Sequence, residues 1–264
     1  MKRIVGVGVL VLGVLAPIVP LFVWAVSARW RYPALVPQEP SLRGLRLIVD
    51  PQTAAVRGVA TSLAIAVAVT ILASLIGLPA GRALGLHAFR GKRVIQLLLL
   101  APALVPTLAV SLGMHVTFIR YGLADTVPGV VLAQLVPTIP YVTFVMASAF
   151  ANFDGGYEQQ ARTLGAGSIR TLVSVTIPAV RPALVVAAYF AFLISWSEYV
   201  LTLVIGGGVV QTLPLLVFGY IQSADLTLAA ALSLLFVLPP LLLVGLTSRY
   251  LTGQSGVALG FGRA

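Results

Sequence analysis

The chain has 264 residues, 59% of them hydrophobic and only 9% charged, with a net charge of +10. An average soluble domain is about one quarter charged, so this composition, with a mean hydropathy of +1.04, excludes an ordinary water-soluble globule and points to a bilayer. It has no cysteine, which excludes disulfides and thiolate metal sites, and its basic residues form no concentrated, aromatic-bearing face of the kind nucleic acid needs.

Six apolar runs follow in chain order, giving an all-α, polytopic membrane protein. The first, about 5–26, lies behind Met1-Lys2-Arg3. Its basic start suits a signal peptide. The run is too long for that and lacks an A-x-A cleavage site, so an uncleaved span is expected. A loop over 27–58 carries Pro33, Pro37, Pro40 and Pro51. The second span is about 59–80, followed by the basic loop GRALGLHAFRGKR. The third is about 94–119, and the turn RYGLADTVPG leads to the fourth, about 130–151. The fifth is about 183–205 and the sixth about 226–246, before a Gly-rich tail over 251–264.

Orientation follows the basic residues. Lys2, Arg3, Arg82, Arg90, Lys92, Arg93, Arg162, Arg170, Arg181, Arg249 and Arg263 share one side; Arg29, Arg31, Arg43, Arg46, Arg57 and Arg120 share the other. The richer side is expected to be cytoplasmic, with both termini. Pro17, Pro20, Pro102, Pro106, Pro137, Pro140, Pro239 and Pro240 fall within the runs and should bend them.

The stretch FDGGYEQQARTLGAGSIRTLVSVTIPAVRP, residues 153–182, is polar between two apolar runs. Asp154 can cap a helix start. Tyr157, Ala161 and Leu164 then form one apolar face. One face of the segment is expected to pack on the membrane domain and the other to be offered outward. Gly165 is placed for a left-handed cap. Ser168 opens a second short helix, which Pro178 should end. Two short surface helices with a glycine hinge are therefore expected on the cytoplasmic side.

The spacing in this stretch resembles the signature of permease subunits of binding-protein-dependent ABC importers: E-A-A, three residues, G, nine residues, I, one residue, L-P. Here the positions read Gln159-Gln160-Ala161, Gly165, Val175 and Ile177-Pro178. The family's glutamate is replaced by Gln159, with Glu158 beside it. The resemblance covers about 59–250 and is closest to the polyamine, thiamine, sulfate and ferric-ion permeases; the run 194–240 resembles that group's last two helices. It implies one transmembrane permease domain over 1–264, with 153–182 as a coupling loop seated on a cytoplasmic ATPase through Glu158, Gln159, Gln160, Ala161, Arg162, Gly165, Ser168 and Pro178. It further implies a pair of ATPase subunits using ATP and Mg, a second permease (identical or homologous), an extracytoplasmic binding protein or lipoprotein, and the bacterial inner membrane as the location.

The chain itself is expected to bind no cofactor and to hydrolyse nothing. A phosphate loop needs G-x-x-x-x-G-K-[ST]. The nearest string, GLHAFRGKR, has one residue too many and ends in Arg93. Glu198, in ISWSEYVLT, is the one acid placed within a run, and is a path candidate with Trp196 and Tyr199. Ser195 and Ser197 can bond across helices. His115 is expected as an interhelical hydrogen bonder and His87 as a solvated loop residue; neither has metal-ligand spacing. IGGGVV, 205–210, reads as an outer turn or a binding-protein contact. An ion-coupled carrier and an intramembrane enzyme are the alternative classes.

Overall fold

A computed structural model describes residues 13, 16–30, 33–34, 36–50 and 53–252. The helices are α1 (Val19–Ala25), α2 (Arg43–Val49), α3 (Ala54–Leu86), α4 (Lys92–Leu104), α5 (Thr107–Arg120), α6 (Val127–Ala151), α7 (Gly156–Thr163), α8 (Ser168–Trp196), α9 (Val200–Gly206), α10 (Leu213–Gln222) and α11 (Leu226–Thr252). Four of them, α3, α6, α8 and α11, are long and apolar enough to cross a membrane; α4 with α5 makes a fifth if that bent pair counts as one span. Residues 5–12 and 14–15 of the expected first span lie outside the described residues, as does the tail beyond residue 252; the far end of that span holds α1.

The chain divides into two units: Met1–Leu63 with Gln211–Leu242, and Ala64–Val210 with Leu243–Ala264. In the first, the expected proline loop holds more order than its composition suggested. Strands β1 (Ser27–Arg29) and β2 (Glu39–Pro40) pair antiparallel, and α2 follows. A Cβ on Gly44 would come within 2.6 Å of the Ala25 carbonyl oxygen, so α2 rests directly on the α1 backbone. Thr227 donates to the Ser27 carbonyl, and Arg43 pairs with Asp225 at 2.8 Å. Helix α10 was not anticipated. Its first N–H, Leu213, donates to Ser62 at 2.8 Å, and Pro214 in its first turn suits a helix start.

The core of the second unit is built around α6. Val130, Ala133, Val142, Met146 and Phe150 are buried there with Ile65, Val69 and Ala73 of α3, Ala187 and Ala191 of α8, and Leu201 and Ile205 of α9. One stripe of α3 lies directly against α6. A Cβ on Gly77, Gly81 or Gly85 would lie 2.5–2.6 Å from side-chain atoms of Val142, Met146 or Phe150. Small residues at four-residue spacing let two helix backbones meet in lipid, where packing drives association.

Two expected spans are interrupted. The third turns through 101° between α4 and α5. Val105 is extended (φ −94, ψ 135) ahead of Pro106, because a residue before proline is pushed out of the α region. The fifth stops at Trp196 and resumes as α9 at Val200, closed at Gly207 with φ +53.

Candidate functional site

The polar stretch forms one short helix and the start of a long one. Asp154 Oδ1 accepts the Gly156 N–H at 2.8 Å and opens α7. At its end Gly165 N–H donates to Arg162 C=O and Ala166 N–H to Ala161 C=O, both at 3.0 Å. These two bonds, with Gly165 at φ +84, make a Schellman cap, as the sequence implied.

The structure decides which face looks inward, and it is not the apolar one. Tyr157 is 58% exposed and Leu164 89% exposed, with Ala161 half-buried. Of the described residues of α7 only Glu158 is buried, at 8%. Arg82 Nη2 of α3 donates to Glu158 Oε2 at 2.6 Å, and Thr176 Oγ1 donates to Oε1 at 2.5 Å. The residue turned inward is a carboxylate, and its burial is tolerated because each oxygen is held by a donor. Gln159, Gln160, Arg162 and Ser168 are exposed. A cavity of about 180 Å³ opens beside the pair, lined by Arg82, Glu158, Arg162, Ser168, Ile169, Thr171, Leu172 and Thr176.

The second helix starts at Ser168 as expected, with Gly167 as its cap and no side-chain cap bond. It does not end at Pro178. It runs 29 residues to Trp196, so it is the near end of a membrane helix and not a separate surface helix. Leu172–Thr176 is a π turn, in which Ile177 N–H donates to Leu172 C=O, five residues back. That slip comes just ahead of Pro178, where the ladder lacks a donor, and lets the helix continue past it.

The other candidates sit at the break between α8 and α9. Trp196 is 1% exposed and stacks on Phe192 at 5.7 Å. Glu198 is half-buried, and its Oε1 accepts the Leu201 N–H at 2.8 Å. It is therefore a helix-capping acid at a break, not an acid in mid-span. Tyr199 is half-buried beside it. Ser195 does bond across helices, donating to Gln134 Oε1, while Gln134 Nε2 donates to Thr202 at 3.0 Å. Ser197 instead donates to its own turn, at Leu193 C=O. The buried Gln134 knot joins α6, α8 and α9 and was not foreseen. His115 Nδ1 is buried with no hydrogen-bond partner, so this nitrogen makes no interhelical bond. The IGGGVV turn is held from the side, with Asp125 N–H donating to Ile205 C=O at 2.8 Å. Among the described residues no group of three His, Asp or Glu side chains could hold a metal.

Arg82 and Thr176 are the site residues that sequence reasoning missed. Arg82 was counted only for its charge; its one signal was a place at the end of an apolar run, facing a loop with an unpaired acid.

Residues 73–252 match the family described as binding-protein-dependent transport system inner membrane component. The chain is 28% identical over 228 residues to a putative ABC transporter permease protein, ORF1, of Streptomyces antibioticus, covering 85% of this chain and 98% of the relative. It is 31% identical over 249 residues to the molybdenum transport system permease protein ModB of Mycobacterium tuberculosis, covering 88% of each. Its fold is similar to a chain in the crystal structure of a bacterial ABC transporter involved in the import of the acidic polysaccharide alginate, with a TM-score of 0.72, 19% identity and 95% of each chain covered.

Proposed function

The chain belongs to the binding-protein-dependent transport system inner membrane components and is a permease subunit of an ABC importer, and from that premise we propose that 153–182 is its dock for a cytoplasmic ATPase. One observation carries the proposal: α7 and the first turn of α8 hold Tyr157, Leu164 and Ile169 outward, the last 80% exposed, on a capped and anchored frame. Apolar side chains displayed together on an ordered surface mark a protein contact, and burying them is what drives association. Exposed Gln159 and Gln160 stand beside them, so the contact combines apolar burial with neutral amide hydrogen bonds. Arg162 and Ser168 extend the surface, Ala161 and Gly165 keep its shape, and Glu158 anchors it from within. Pro178 lies behind, on the helix that receives the motion.

The remaining parts follow from the same reading. Two ATPase subunits supply ATP and Mg chemistry that this chain does not perform, and it binds no cofactor. A second permease, identical or homologous, completes the translocation path, and the outward faces of α4 and α5 are available to it or to lipid. An extracytoplasmic binding protein or lipoprotein delivers the substrate. Both termini are cytoplasmic in this reading. Trp196, Glu198 and Tyr199 contribute to the path by shaping the α8–α9 break. An ion-coupled carrier would need a free intramembrane charge, and Glu198 already has a backbone N–H as partner.

Affinity purification of a tagged chain, expressed with its partner subunits and kept folded in mild detergent, tests the proposal. An ATPase should come down with it, and the binding protein should stimulate hydrolysis. A folded chain that purifies without any ATPase would reject the reading.

A further inference from the structure

We propose that Arg82, Glu158 and Thr176 form the joint that carries movement of α7 into the membrane helices, with Arg82 and Thr176 as positioning residues; this rests on reading 153–182 as the ATPase dock. Glu158 is the single buried residue among those described in α7, so the helix has one inward side-chain anchor, and that anchor is charged. A carboxylate removed from water is tolerated only when its oxygens are occupied. Each oxygen here is held by a different element, Oε2 by Arg82 of α3 and Oε1 by Thr176 of α8. Three helices meet at one side chain. Short charge-assisted bonds are directional, so α7 can move only by pulling both neighbours with it or by exchanging partners.

Both receiving residues lead into the membrane. Arg82 follows Gly81, where a Cβ would fall 2.5 Å from Met146 Cβ and 2.8 Å from the Thr143 carbonyl oxygen. At that seam the Gly81 backbone lies against Met146 Cβ and the backbone of Thr143 and Ala147, so a shift of α3 is passed to α6. Thr176 is buried in the π turn, a ladder register that can step back to α spacing. A second arrangement is also within reach. Arg82 Nε and Thr171 Oγ1 are buried without hydrogen-bond partners, and Arg82 and Thr171 line the same cavity as Glu158. A carboxylate shifted into that cavity finds donors there. A buried ion pair is weak evidence for stability but a good device for fixing one of two registers, and coupling between distant sites needs an element with two discrete arrangements.

The experiment compares wild type, Arg82→Gln, Arg82→Lys, Thr176→Val and the exchange Arg82→Glu with Glu158→Arg, each as the assembled importer in proteoliposomes. ATPase retained, ATP hydrolysed and substrate moved are measured separately. Arg82→Gln and Thr176→Val should keep the ATPase bound and hydrolysing while substrate moved per ATP falls several-fold, up to about tenfold. Arg82→Lys and the charge exchange should recover part of that ratio. Unchanged ratios in Arg82→Gln and Thr176→Val would overturn the joint, as would variants that only lower the amount of assembled complex. Failure of wild type itself to hold an ATPase would instead sink the docking reading, and the joint with it.

Discussion

Gly165 shows how much a single backbone angle decides. Its φ of +84 is left-handed, and an added Cβ would meet nothing within 4 Å, so the constraint is conformational and not steric. A non-glycine side chain there costs about 1 kcal/mol or more, asparagine least. Gly165→Asn is expected to keep most ATPase binding. Gly165→Asp, which also sets a charge beside exposed Leu164, is expected to release the ATPase or uncouple it; co-purification and stimulated hydrolysis distinguish the two. Glu198 gives the opposite lesson. Its carboxylate oxygen accepts a backbone N–H, and a glutamine oxygen can do the same. Glu198→Gln should therefore transport normally, while Glu198→Ala should cost about 1 kcal/mol of stability through the lost cap. A transport defect in Glu198→Gln, with a thermal melt in detergent unchanged, would restore a charge role in the path. At this scale the sequence was informative where a residue type is fixed locally, by backbone geometry at Gly165 and by a side-chain bond to the next turn at Asp154. It was silent on Arg82, whose partner lies 76 positions away.

The seam between α3 and α6 sets the prediction for elements. Gly81→Ala pushes a methyl into Met146 and the Thr143 carbonyl oxygen, an overpacking expected to cost about 1–3 kcal/mol. Gly113→Ala in α5, where nothing lies within 4 Å, should be neutral or slightly stabilising, because alanine favours helix over glycine. Thermal unfolding of the two variants in detergent checks the contrast. Prolines did not mark breaks evenly: Pro106 stands at a break, whereas Pro102, Pro137, Pro140, Pro239 and Pro240 lie inside helices. Most elements were readable from apolar runs. The direction of α7 was not. Periodicity finds the face of Tyr157 and Leu164 but not which way it turns; in the fold that face is exposed and Glu158 is buried. The π turn was equally hidden. It is a slip in hydrogen bonding, and Pro178 marked only that something had to give nearby.

For the whole molecule the open quantity is which surfaces face which compartment, and the composition offers a direct route. With no cysteine in the chain, single-cysteine variants can be labelled by a membrane-impermeant thiol reagent without background. Arg90→Cys and Leu164→Cys should react from the cytoplasmic side only, and Val36→Cys from the opposite side, following the eleven-to-six division of basic residues. Leu164 is 89% exposed, so its cysteine should label quickly in membranes stripped of ATPase. Adding the ATPase should slow that labelling strongly while Arg90→Cys, on the loop before α4, keeps its rate. The pair of readings separates docking from a general loss of access. Protection at both positions would mean that the membranes had resealed or aggregated. Protection at neither would mean that the outward apolar face of α7 meets lipid or a second permease instead. Labelling of Val36→Cys and Leu164→Cys from the same side would overturn the topology and the cytoplasmic dock with it.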